Sequence, residues 1–141
     1  MKRWLFCVLM LMGSPLWACP DANITADRAN ALEAAGSFAK EGYLCRESYL
    51  PLSISPEKPA LIQVNLFAGN AYWFIAAANA SAQGVRIEVF DAKGKPVAVE
   101  SYELPLPATA GFTPAQSGPY ILRITVQAEG PVCGVLLYCY K

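Results

Sequence analysis

The chain has 141 residues, 11 basic and 11 acidic side chains, and no histidine. A balanced charge offers little hold on nucleic acid or anionic lipid, both of which reward basic clusters. Without histidine there is no Ser-His-Asp or Cys-His nucleophile system and no histidine-held metal.

Lys2 and Arg3 precede an unbroken apolar run, Trp4 to Met12, which Gly13, Ser14 and Pro15 interrupt before Leu16-Trp17-Ala18. This order of charge, apolar core and small residue predicts a secretory signal peptide over residues 1–18, cleaved after Ala18. The run falls short of the roughly 20 residues that span a bilayer. No later segment is long enough either, so a transmembrane segment is not expected. The expected location is the periplasm or the medium of a bacterium. Removing the leader leaves 123 residues with 9 basic and 11 acidic groups, enough for one domain with a real core.

Cys7 leaves with the leader, and Cys19, Cys45, Cys133 and Cys139 remain. Four cysteines in an exported chain read as two disulfides. Zinc would want close C-x2-C pairs, which are absent. Cys19 directly follows Ala18, where a bacterial lipoprotein carries its lipidated cysteine. Bulky Trp17 and the odd count that lipidation would leave make a disulfide at Cys19 the better reading, with a lipid anchor as the alternative.

From Asp27 to Glu41 the sequence predicts a helix, with Thr25 or Asp27 capping its start and Gly42 its end. One half of its wheel holds Ala29, Ala31, Leu32, Ala35, Gly36, Phe38 and Ala39, an apolar face of small residues suited to lying close against a sheet. Pro51, Pro56 and Pro59 then read as a connector. Residues 19–57 are thus expected to be helix and connector, and residues 58–141 a β-sandwich.

Beyond Pro59 the apolar period becomes two. Ile62, Val64 and Leu66 alternate with polar residues, as do Val85, Ile87 and Val89, and Leu122, Ile124 and Val126. Shorter segments surround Val97–Val99 and Thr109–Thr113. Turn signals at intervals of about 8–12 residues predict an antiparallel sandwich, mainly β, with the one helix packed on it. Tyr72-Trp73-Phe74-Ile75 and Val135-Leu136-Leu137-Tyr138 are apolar on both faces. One face meets the sandwich core, and the Ala-rich helix is the expected cover for the other. The competing expectation is an exposed aromatic surface of Trp73, Tyr138 and Tyr140.

If 133–139 is one extended strand, its ends lie roughly 20 Å apart, far beyond the ~7 Å between α-carbons that a disulfide tolerates. Cys133–Cys139 is then excluded, and Cys19–Cys45 with it. Two schemes stay open: 19–133 with 45–139, or 19–139 with 45–133. Gly134 is the point at which a turn would rescue the excluded pair.

Three stretches resemble the bacterial pre-peptidase C-terminal domain: Ala68 to Phe74 before and into an aromatic strand, Val89-Phe90-Asp91-Ala92-Lys93-Gly94 as a hairpin, and Phe112 to Ile124 as a closing run through Pro114, Gly118 and Tyr120. The resemblance covers residues 60–141. It implies a jelly-roll-like, non-catalytic sandwich of the kind appended to secreted enzymes. A helix and a cysteine pair, rather than a peptidase, precede the strands here, so the appendage role does not carry over. Some relatives bind calcium, but Asp21, Asp27 and Glu33 are too scattered for that.

No enzyme activity, catalytic residue, metal or cofactor is expected. Glu100 and Glu103 are the nearest carboxylate pair and read as a solvated loop. The function expected is a non-catalytic binding or accessory domain that acts by surface contact on a protein or on a wall or polysaccharide ligand. One alternative is a periplasmic inhibitor or immunity-type protein that uses the loop from Tyr102 to Phe112, stiffened by Pro105 and Pro107. Another is a carbohydrate- or wall-binding module that uses Trp73, Tyr138 and Tyr140.

Overall fold

The computed structural model describes residues 21–46, 48–78, 84–101 and 107–141, with the backbone alone for residues 21–24. The predicted leader and Cys19 lie outside these. The chain is mainly β, two antiparallel sheets with one helix.

Helix α1, Asp21–Lys40, starts six residues before the predicted boundary. Thr25 and Asp27 therefore sit inside the helix rather than capping it. Its other end is as expected. Tyr43 N–H donates to the Phe38 carbonyl at 3.1 Å, and Gly42 N–H to that of Ala39 at 3.1 Å. Gly42 has φ 94°, the left-handed conformation of a Schellman stop, where glycine carries no Cβ penalty. The Phe38 and Tyr43 rings meet edge-on at 6.1 Å and supply the apolar contact of that motif.

The strands are β1 (Leu44–Cys45), β2 (Leu50–Ile54), β3 (Ala60–Leu66), β4 (Tyr72–Ala78), β5 (Gly84–Phe90), β6 (Pro96–Val97), β7 (Ala108–Phe112), β8 (Gly118–Gln127) and β9 (Val132–Tyr140). The expected connector is thus partly strand: β1 and β2 both pair with β9 and form one interrupted edge. Pro51 does not prevent this, because an edge strand needs donors toward one neighbour only. The first sheet runs β1/β2–β9–β4–β7 and the second β3–β8–β5–β6. On one side the two sheets are tied where Glu100 and Gly111 exchange backbone hydrogen bonds of 2.8 Å. On the other, β3 and the β1/β2 edge leave an open seam.

Strands β4 and β9 are the middle layer. Tyr72, Phe74, Ala76 and Leu136 face the second sheet and pack with Leu122, Ile124 and Val89. Trp73, Ile75, Ala77, Val135 and Leu137 face the other way and pack with Ala31, Ala35 and Phe38 of α1. This is the physical reason both strands read as apolar on both faces. The helix face differs from the predicted wheel: Ala29, Gly36 and Ala39 are exposed, while Asp27 is buried in line with Ala31, Ala35 and Phe38.

Strand β9 runs through Gly134 without turning. Cys45 and Cys139 are register partners, 3.9 Å apart at Cα, and form a disulfide. Cys133 is also disulfide-bonded, which excludes the scheme that joined it to Cys45.

Candidate functional site

The open seam holds the most promising site. Between β1 and β2 the register of this edge against β9 shifts by two residues. Arg46 stays tethered by its N–H to the Tyr138 carbonyl at 3.1 Å. Across the seam, β3 ends at Leu66 and the Phe67–Asn70 turn begins. The gap between is a groove of about 370 Å³. Its floor is Val64, Leu66, Tyr72 and Phe74, and its rim is Arg46, Asn65, Phe67, Asn70, Tyr138 and Tyr140.

Two local features set the shape. Tyr138 and Tyr140 lie two apart on β9, so they share the face opposite Cys139, and their rings sit 6.4 Å apart. The Tyr72 hydroxyl accepts hydrogen bonds from Phe67 N–H at 2.9 Å and Asn70 Nδ2 at 3.4 Å. The turn is fixed further by Ala68 N–H donating to Ser117 Oγ at 2.8 Å. Phe67 is thereby held with 65% of its surface exposed. The Arg46 guanidinium lies 5.5 Å above the Tyr138 ring, a cation–π placement. The groove thus offers apolar and aromatic walls, amide groups and one cation at its mouth.

The sequence-predicted residues separate into groups. Tyr138 and Tyr140 meet in the groove. Trp73, on the opposite face of the same sheet, does not: it is 7% exposed and its ring stacks on Phe38 at 4.8 Å. The three-aromatic platform is therefore not formed, because Trp73 is the register partner of Cys139, whose strand neighbours Tyr138 and Tyr140 face the opposite way. Phe112 ends β7 and turns toward the interior, 5.6 Å from the Tyr120 ring and 6.3 Å from that of Phe74. Pro107 is buried. Neither is presented on a protruding loop. Tyr102 and Pro105 lie outside the described residues. Sequence reasoning missed Arg46, Asn65, Phe67 and Asn70. For Phe67 a signal existed, since it follows inward-facing Leu66 and so has to face out.

Asp27 is the one buried carboxylate among the described residues, 2% exposed, with no hydrogen-bond partner at Oδ2. Burial pushes its carboxyl up to about 6. It lies under α1, away from the groove. Among the described residues no cluster of His, Cys, Asp or Glu could hold a metal, and no helix is long and apolar enough to cross a membrane.

No family model and no curated protein matches this sequence.

Proposed function

We propose that this chain is an exported, non-catalytic binding domain that acts by contact, and that the seam groove is its contact site. The carrying observation is the groove itself: two neighbouring tyrosines, exposed Phe67 and the Arg46 cation around a mainly apolar floor. Such a surface suits an apolar or aromatic side chain of a partner protein, with a carboxylate or carbonyl beside it to meet Arg46. Export is supported by the predicted leader and by the disulfide, a bond that is common in oxidising compartments and rare in the cytosol.

The resemblance to pre-peptidase C-terminal domains is retained as part of this proposal. Its quoted stretches coincide with working parts of the fold. Asp91 Oδ1 accepts from Lys93 N–H and Lys95 N–H, each at 2.9 Å, and closes the β5–β6 hairpin. The Tyr120 hydroxyl donates to the Gln116 carbonyl at 2.8 Å and fixes the entrance to β8.

The test is quantitative capture from periplasmic extract with immobilised wild-type, Arg46→Glu, Tyr140→Ala and Arg86→Glu proteins. A stoichiometric partner lost by the two groove variants and kept by Arg86→Glu, on the outer face of the second sheet, is the expected result. A partner indifferent to the groove variants, or none at all, refutes the assignment.

A further inference from the structure

Sheet edges expose unpaired backbone groups, and proteins blunt them with proline, charge, short strands or a covering segment. Here the β2 edge carries Pro51 and breaks before β1. Strand β6 is two residues long and begins with Pro96. The β7 edge is covered at Gly111 by Glu100. Among the described residues, strand β3 has none of these devices. It pairs with β8 in unbroken register from Ala60 to Leu66, and among the described residues nothing pairs with its other side. No charged residue occurs between Lys58 and Arg86.

The sequence of this edge is self-complementary. Outward-facing Leu61, Gln63, Asn65 and Phe67 are arranged symmetrically about Val64. Leu61 is 66% and Phe67 65% exposed, the two most exposed large apolar side chains described. Antiparallel pairing with an identical strand centred on Val64 sets Leu61 opposite Phe67 and Gln63 opposite Asn65, each twice. Apolar then meets apolar and amide meets amide, the residue matching an isologous interface requires.

We propose that β3 pairs with β3 of a second copy of this chain, antiparallel about a twofold axis at Val64, joining the two four-stranded sheets into one. It goes beyond the groove reading, although Asn65 and Phe67 belong to both surfaces.

Sedimentation of the exported, disulfide-intact protein over a concentration series tests it. The wild type is expected to show a monomer–dimer equilibrium. Leu61→Lys with Phe67→Lys places like charges opposite each other at both outer pairs and should weaken the dimer by roughly tenfold to a hundredfold. Leu61→Lys with Phe67→Glu places opposite charges there and should return dimerisation to near the wild-type level. Both sites are exposed, and far-UV circular dichroism checks that each variant is folded. Should either fail to fold, Gln63→Lys with Asn65→Lys, and Gln63→Lys with Asn65→Glu, repeat the comparison one pair inward. A wild type that stays monomeric throughout, as it would if the edge served another protein's extended peptide, overturns the proposal. So does a charge-swapped variant no better paired than the like-charged one.

Discussion

Replacing Gly111 by alanine is the sharpest probe of how the three layers are held together. Gly111 is the register partner of Trp73, and the indole lies flat across it. A methyl group there would fall 2.6 Å from Cδ2 and Cε2 of the indole and 2.7 Å from Cε3, against about 3.5–4.0 Å for carbon contact. The ring would have to move by roughly 1 Å, but its other side is stacked on Phe38 at 4.8 Å. Gly111 is not among the positive-φ glycines, so the cost is steric and not conformational. Overpacking of this kind costs about 1–3 kcal/mol, and a ring trapped on both sides belongs near 3. Phe38→Ala alone should cost about 3–5 kcal/mol, yet it vacates the space the displaced ring needs. The double variant should therefore be more stable than additivity predicts, by about 1–2 kcal/mol. Once residues 1–18 are removed, Trp73 is the sole tryptophan, so urea unfolding followed by its fluorescence reads this ring directly. Gly111→Ala within about 0.5 kcal/mol of wild type, with unshifted emission, would refute the packing argument, and strict additivity would refute the wedge.

Two further outcomes are expected. Asp27 has a folded pKa raised from 3.8 to about 6, so between those values the native state binds more proton than the unfolded chain. Below about pH 4 the carboxyl is neutral in both states and carries no charge penalty; stability is lost as pH rises from there through 6, and the loss levels off at up to about 3 kcal/mol. Asp27→Ala should thus stabilise the protein at pH 7.5 and change little at pH 4; urea midpoints showing the same difference at both pH values would contradict this. With Cys45 joined to Cys139 and Cys133 also bonded, the scheme left from strand geometry pairs Cys133 with Cys19. Peptide mapping without reduction should recover a fragment linking those two, and a lipid on Cys19 would overturn the pairing.

The sequence alone determined the layering of this protein. Apolar alternation marked the strands, because a sheet with one buried face writes period two into its residues. Strands apolar on both sides, beside a helix of small residues, required a third layer, and the cysteine spacing on β9 excluded the pairing along one strand. What only tertiary structure decided is which surfaces remain free. Trp73 and Tyr138 are equally aromatic, and their separate fates follow from which face of the middle sheet each meets. Pro51 read as a connector because its value depends on having one neighbour, which local sequence does not encode. Asp27 is buried because it falls on the same helical stripe as Ala31, Ala35 and Phe38, and which stripe meets the sheet is settled only by packing. The groove arises where two strands distant in sequence fail to close a seam, a property that belongs to neither strand alone.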